Sequence, residues 1–445
     1  MSFDPAALVA ELRRLEDAAA PAGRYIVAFS GGLDSTVLLC ALAETRTIHR
    51  VPVLAAHVDH GLDPASATWA RHCRETASGL GVDYVERRVA IPAGHGLGPE
   101  AAARRERYQA LIACAGPSDW LLTAHHLDDQ AETLLLNLLR GSGPAGLGGM
   151  RSIRQAAPGW LARPLLPFAR EELALWAREK GLEWIDDPGN AASQFDRNYL
   201  RNEVMPVLAS RWPAANRCIA RSADLSRAGA GLLEALAEAD LDALGASPAR
   251  LPVEGLARLS GERAANLLRH ACRLGGLPLP PAARLAAILE QAPAAREDAL
   301  PEVRWPGAMA RRFRGYLYLS PDTIEPRFDG ARLHPGEAIE LGPGLGRLLL
   351  EPDPGGGIAP GIAAAGLTLR ARVGGESIRP AGDRHTRALK KLLNERGILP
   401  WLRDKVPLLY AGDRLAAVAD LWVAEEAWEA PGYRVRWQDA PATAA

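Results

Sequence analysis

An α/β fold built on a doubly wound parallel sheet is predicted for the N-terminal part of this chain, on two observations. Short apolar runs alternate with longer segments of helical period through the first 140 residues, and the runs end in turns rich in Gly, Ser, His and Asp. RYIVAFS (24–30) reads as a buried strand, and the helical pattern from Asp34 to Glu44 follows it. VPVLAAHV (51–58) is the second strand, Ala65 to Leu80 the second helix and VDYVERRV (82–89) the third strand. A helix from Pro99 to Ala115 and a strand at DWLLTAH (119–125) complete the alternation. Such a sheet carries its functional site at the carboxyl ends of its strands.

Beyond it, Gly, Pro and Arg are frequent from Arg140 to about Arg221, with helices expected at Ala169 to Lys180 and from near Tyr199. Residues 222–300 are rich in Ala and Leu at helical period, broken by Pro-Leu-Pro-Pro at 278–281. Around 302–353 the pattern turns to strands, and PDPGGGIAPG (352–361) reads as a linker. The expected domains are therefore an α/β catalytic domain (1–221), a helical domain (222–315), a strand-rich connector (316–361) and a small α+β C-terminal domain (362–445).

An apolar fraction of 48% and a charged fraction of 24% over 445 residues exclude disordered and collagen-like classes. The first twenty residues carry charges where a secretory signal needs an apolar run, and no segment approaches ~20 apolar residues, so a membrane span is not expected. The five cysteines, Cys40, Cys73, Cys114, Cys218 and Cys272, are never closer than 33 positions, which excludes a CxxC pair and suits a reducing cytoplasm.

The net charge of −1 at first disfavours a nucleic-acid partner, but it is a sum of opposites. Residues 1–139 hold 12 basic and 17 acidic groups (−5), residues 140–221 hold 12 and 8 (+4), and residues 370–405 hold 10 and 4 (+6). Two basic segments around an acidic α/β domain suit a polyanionic partner; solvated helix faces are the alternative. Of the 52 basic residues only Lys180, Lys390, Lys391 and Lys405 are lysines. Either codon bias or a preference for guanidinium groups on phosphate accounts for that.

Ser30-Gly31-Gly32-Leu33-Asp34-Ser35-Thr36 turns the first strand into a helix. Two glycines allow close backbone approach, and the hydroxyls and helix amides point at an anion. Asp34 would repel a phosphate unless a divalent cation lay between them, which suggests Mg²⁺. A capped strand-to-helix turn is the alternative. The segment is not a Walker A loop, which needs a Lys that this region lacks. It resembles the PP-loop, SGGxDS, of the ATP pyrophosphatase superfamily, whose members adenylate a substrate oxygen. A literal GxGxxG at Gly141, Gly143 and Gly146 follows a helix rather than a strand, so it fails the context of a dinucleotide site.

At the end of the fourth strand stands AHHLDDQAET (124–133). Asp128, Asp129 and Glu132 fall at i, i+3 and i, i+4 spacing on one helical turn; capping by acids in a first turn is the alternative. Together with HVDHGL (57–62), EAAARRERY (100–108), LLRGSGPAGLGGM (138–150), RPLL (163–166), DDPGN and RNYLRNEV (186–204), and the run 378–423, these motifs resemble the tRNA(Ile)-lysidine synthetase family along nearly the whole chain. Pro99 and Gly189 depart from that family's usual residues without removing a reactive group.

The resemblance implies a Rossmann-like PP-loop domain that uses ATP and Mg²⁺, with tRNA(Ile) bearing a CAU anticodon and free L-lysine as partners, no membrane, and a homodimer left open. O2 of the wobble cytidine (position 34) would be adenylated, and lysine would then displace AMP from C2. Ser30, Gly31, Gly32, Leu33, Asp34 and Ser35 would cradle the phosphates, with Asp34 on the metal and His57, Asp59 and His60 near the adenosine. Asp129 and Glu132 would bind lysine, whose ammonium must lose a proton, with Asp128 behind them or near the metal. Arg104, Arg107 and Arg197 would neutralise phosphate or the cytosine oxygen, Arg107 also meeting tRNA; a structural salt bridge is the alternative for each. Arg384, Arg387, Lys390 and Lys391, expected on one helical face, would meet acceptor-stem phosphates. The alternatives are another PP-loop tRNA-modifying enzyme and a non-catalytic tRNA-binding protein. Thiolation needs paired cysteines that this chain lacks, and intact motifs disfavour the non-catalytic case.

Overall fold

The computed structural model describes residues 2–59, 61, 65–89, 99–186, 195–294, 301–323 and 325–440, with the side chains of 99–104 and 294 outside that set. Two compact units emerge, Met1–Leu232 and Leu233–Ala445.

The first unit carries a six-stranded sheet of β1 (Arg24–Ala28), β2 (Val53–Asp59), β3 (Asp83–Arg88), β4 (Asp119–Leu122), β5 (Ile153–Ala156) and β6 (Gly159–Ala162). Its order is β3-β2-β1-β4-β6-β5, parallel throughout except for β5 against β6. Strand order reverses between β1 and β4, which is where an open α/β sheet leaves a crevice outside its carboxyl ends. The four expected strands are all present. The β5–β6 hairpin was not foreseen: its strands are short, and Arg154 and Gln155 face solvent.

Alternation along β1 sends Tyr25 and Val27 to one face and Ile26 to the other. The first face is covered by α1 (Pro5–Ala18), α2 (Leu33–Glu44), α4 (Ser66–Gly79) and, beyond α5 (Pro99–Ile112), α6 (Leu127–Leu139) and α7 (Pro144–Leu147), by α8 (Arg170–Glu179); a short α3 (Arg46–His49) follows α2. On the second face Tyr108, Leu111 and Ile112 of α5 pack on Ile26, Ala56, Leu121 and Leu161. Helix α2 is apolar nearly all round and correspondingly buried. Helix α1 starts at an Asp4 cap that accepts from the Ala7 amide at 2.7 Å.

After α8 come a helical turn, α9 (Asp196–Tyr199), a π-helical segment at Leu200–Val204, α10 (Met205–Arg211) and the long α11 (Ala215–Ala243), which runs uninterrupted through residue 222. In the second unit, helices at Val253–Arg258, Gly261–Leu274 and Ala282–Ala294 pack on an antiparallel sheet of β7 (Arg250–Pro252), β8 (Glu302–Trp305), β9 (Ala308–Phe313) and β10 (Tyr316–Ser320), in the order β7-β10-β9-β8. Two further five-stranded sheets share one core that includes Phe328, Leu348, Leu367, Leu393, Leu408 and Val435.

Two expectations are corrected here. The Gly/Pro-rich stretch at 352–361 is no linker: Gly357–Ile358 pairs with Trp428–Glu429 and with Tyr433 inside a sheet, and Pro360–Ala365 forms a helix. Gly357 serves close packing, since a Cβ there would strike the Tyr433 backbone. Nor do Arg384, Arg387, Lys390 and Lys391 share a helical face. Arg387–Ala388 pairs as a strand with Ser377–Ile378, and the helix begins only at Leu389. Pro380 and the left-handed Gly382 turn the chain before that helix can start.

Candidate active site

Both chemical motifs fall at the strand-order reversal, one after β1 and one after β4. Gly31 adopts φ +80°, and a Cβ there would meet Ile185 Cδ1 at 2.8 Å and Cys73 Sγ at 2.9 Å. Only glycine fits, both in conformation and in space. The Ser35 hydroxyl donates to Gly32 O at 3.0 Å and lies 3.1 Å from the Ser30 hydroxyl, so the loop is braced from within. Helix α2 opens at Gly32 without a side-chain cap, which leaves its first amides for an anion.

His57 and Asp59, both buried, stand at the end of the adjacent β2. His57 Nδ1 is 2.9 Å from Phe29 O, which ties it to the residue before the loop, and Asp59 accepts from the Gly61 amide at 2.8 Å. His60 lies outside the described residues.

Helix α6 brings Asp128, Asp129 and Glu132 to the same crevice. His126, 1% exposed, precedes the helix, and its backbone N–H donates to Asp129 Oδ2 at 3.0 Å. Its ring sits among three carboxylates: Nε2 is 3.4 Å from Asp129 Oδ2 and 3.6 Å from Asp34 Oδ2, and Nδ1 is 3.4 Å from Asp128 Oδ2. Burial alone favours the neutral ring, but attraction to Asp129, with Asp128 and Asp34, outweighs it and raises the His126 pKa to about 10. Nδ1 also lies 3.4 Å from the Asp129 amide, a cap contact that needs an unprotonated nitrogen. Three surrounding carboxylates decide in favour of the imidazolium, which donates toward Asp128 instead.

The acidic pair is not an open pocket. Arg197 Nη2 reaches Asp129 Oδ1 at 2.9 Å and its Nε reaches Glu132 Oε2 at 2.8 Å. Arg201 repeats the pattern, 2.8 Å to Asp129 Oδ1 and 2.7 Å to Glu132 Oε1. Against burial, which would raise it, His126, Arg197, His125 and Arg201 hold the Asp129 carboxyl well below the ordinary range. Asp128 turns away: it accepts from the Arg170 amide at 2.7 Å and from the Asn216 side chain. Asp34 keeps one oxygen, Oδ1, buried without a hydrogen-bond partner, with Arg170 Nε 3.8 Å off. Asp34, Asp128, Asp129 and Glu132 thus face Arg170, Arg197, Arg201 and the His126 imidazolium, a balanced set.

Arg201, Arg170, Asn216 and the His126 ring were not among the predicted site residues. For Arg201 the available signal was its i, i+4 spacing from Arg197 in RNYLR. Arg107 is exposed on α5, and the side chain of Arg104 lies outside the described residues, as does Gly189. Arg384, Lys390 and Lys391 are exposed in the second unit, while Arg387 is paired with Glu395. Among the described residues no three His, Cys, Asp or Glu side chains converge as a metal cage, and no helix is long and apolar enough to cross a membrane.

Known proteins match this chain along most of its length. Residues 7–208 match the family model of a PP-loop domain, 251–318 that of the TilS substrate binding domain and 367–437 that of the TilS substrate C-terminal domain. The tRNA(Ile)-lysidine synthase of Alkalilimnicola ehrlichii is 44% identical over 418 residues, 93% of each chain. The enzyme of the same name from Methylococcus capsulatus is 40% identical over 92% of this chain and 94% of its own, and that from Coxiella burnetii 37% identical over 93% and 92%.

Proposed function

Because the chain belongs to the tRNA(Ile)-lysidine synthase family and carries out ATP-dependent lysidine formation on tRNA(Ile), we propose how its own residues divide that reaction. The observation that carries the division is the meeting of two motifs from adjacent parallel strands, with His126 Nε2 only 3.6 Å from Asp34 Oδ2.

The triphosphate of ATP rests on Ser30–Ser35 and the α2 amides, with the adenosine toward His57 and Asp59. Asp34 holds Mg²⁺. A single buried, unpartnered carboxylate oxygen suits magnesium, which takes most of its ligands from phosphate and water rather than from a protein cage. When bound, the ion neutralises phosphate charge. The wobble cytidine O2 attacks the α-phosphorus and pyrophosphate leaves, which turns a poor leaving group at C2 into AMP. Arg104, Arg107 and Arg197 serve to neutralise charge that develops on phosphate and cytosine.

Free L-lysine then attacks C2. Its ammonium has a pKa near ~10.4, so it needs carboxylates to hold it and draw off a proton. Asp129 and Glu132 serve that end: two guanidinium groups occupy the cation positions beside them, and the lysine ammonium exchanges with one of the two. The segments 222–315 and 362–445, with Arg384, Arg387, Lys390 and Lys391, hold tRNA(Ile) bearing the CAU anticodon, in the cytoplasm. The test is label transfer from lysine to a CAU-anticodon tRNA(Ile) transcript by the purified chain with ATP and Mg²⁺. No transfer to active tRNA, with elongator tRNA(Met) as control, overturns the division.

A further inference from the structure

Three helices open onto the crevice of the first unit: α2 at Leu33, α6 at Leu127 and α8 at Arg170. Helix α8 packs along α2, with Leu173, Trp176 and Ala177 in the core that also holds Val37 and Ala41. Asp128 of α6 accepts from the Arg170 amide at 2.7 Å, so the third helix is tied to the other two. Each brings the positive end of a helix dipole, and the crevice favours an anion before any side chain is counted.

Asp128 is itself held by the Asn216 side chain of α11 and lies 3.4 Å from His126 Nδ1. The backbone of Arg170 is thereby fixed, but its guanidinium is not. The side chain is 51% exposed, and Nε stands 3.8 Å from Asp34 Oδ1, the buried oxygen without a hydrogen-bond partner. That distance is too long for a hydrogen bond, and among the described residues no other carboxylate comes within ion-pair distance of this guanidinium.

The other cations of the crevice are engaged. Arg197 and Arg201 bridge Asp129 and Glu132, and His126, 1% exposed, is enclosed by Asp34, Asp128 and Asp129. A triphosphate seated on Ser30–Ser35 adds negative charge to a set already balanced, and more develops on its terminal phosphates as they depart. Arg197 or Arg201 could meet that charge only by uncovering a buried carboxylate, which is costly. Arg170 leaves a half-exposed contact of 3.8 Å, which is worth little.

We propose that Arg170 is a further catalytic residue, whose guanidinium binds the β- and γ-phosphates of ATP and stabilises them as they leave as pyrophosphate. The inference rests on the adenylation reading above and deepens it. Cytidine O2 forms a bond to the α-phosphorus, the bond from that phosphorus to the bridging oxygen breaks, and its electron pair goes to pyrophosphate. A carbonyl oxygen has no proton to lose, so none moves. Arg170 meets the added charge with a fork of N–H donors, and a contact that strengthens as charge develops lowers the barrier to the step.

Arg170→Gln in the full chain tests it, because the bond to Asp128 comes from the backbone amide and survives the change. In a single turnover with α-phosphate-labelled ATP, Mg²⁺ and CAU-anticodon tRNA(Ile), without lysine, transfer of label to tRNA is expected to slow about a hundredfold. Affinity for inorganic pyrophosphate with Mg²⁺ should fall about tenfold, while thermal melting and the KM for lysine stay at wild-type values. Arg170→Lys, which keeps the charge but loses the fork, recovers part of both losses. Unchanged label transfer and pyrophosphate affinity in Arg170→Gln overturn the assignment. So does a raised KM for tRNA with label transfer at saturating tRNA intact, since the guanidinium then lies on RNA. A lowered melting temperature with equal loss in Arg170→Gln and Arg170→Lys also overturns it, by making Arg170 a structural partner of Asp34. Pyrophosphate affinity that depends on Arg170, in a chain whose wild type adenylates no tRNA, leaves the phosphate contact standing and refutes the functional reading instead.

Discussion

Arg201 closes a bidentate pair on Glu132: Nε meets Oε1 at 2.7 Å and Nη2 meets Oε2 at 3.0 Å, around a carboxylate only 2% exposed. Arg197 adds a third bond to the same group. Two guanidinium groups and two carboxylates, Asp129 and Glu132, are therefore one electrostatic unit, and removing any member leaves buried charge uncompensated.

Glu132→Ala should accordingly destabilise the first unit by about 3–5 kcal/mol, because both arginines lose their shared partner. Denaturant melts of the full chain give the number. A loss below about 1 kcal/mol would mean that the cluster is solvated in solution.

Function at Glu132 is better probed by Glu132→Gln, which keeps the shape and one acceptor oxygen but loses the other acceptor and halves the negative charge of the pair. The KM for lysine should rise about tenfold or more, as loss of one charge-assisted bond implies, while adenylation of tRNA in the absence of lysine persists. Equal loss of both steps would take Glu132 out of the lysine site.

Asp34→Asn should behave in the opposite way. Its contacts, 3.6 Å to His126 and 3.8 Å to Arg170, are too long to contribute much stability, so melting should shift little. Adenylation should fall at least about a hundredfold, as loss of a metal-holding carboxylate implies. A large stability loss with adenylation intact would make Asp34 structural.

Gly31→Ala places a methyl against Ile185 and Cys73 at a left-handed φ. The clash should cost about 1–3 kcal/mol and weaken ATP use, with lysine affinity unchanged. Thermal melting and the KM for ATP read the two effects separately.

The catalytic scaffold was legible because β1, β2 and β4 centre on apolar runs and its two motifs abut β1 and β4. Legibility failed where structure depends on distant partners. Glu132 and Arg201 are 69 positions apart, and no local period announces their pairing. Three- and four-residue spacing from Arg384 to Lys391 mimics a helix face, yet pairing of Arg387–Ala388 with Ser377–Ile378 overrides it. Glycines at 355–357 suggest a linker by composition, while Gly357 is there so that two backbones can touch. The literal GxGxxG at Gly141, Gly143 and Gly146 is followed by Gly149, whose φ of +60° accompanies a Met150 amide 2.8 Å from Gln130 Oε1 of α6.

The division of labour between the Asp34 loop and the Asp129–Glu132 pair is tested most directly by a single-turnover experiment with α-phosphate-labelled ATP and CAU-anticodon tRNA(Ile), first without lysine and then with a lysine chase. Label should appear on the tRNA as pyrophosphate leaves, and lysine should then release it as AMP. Absence of label on the tRNA before lysine is added, with lysidine still formed, would contradict a separate adenylation step.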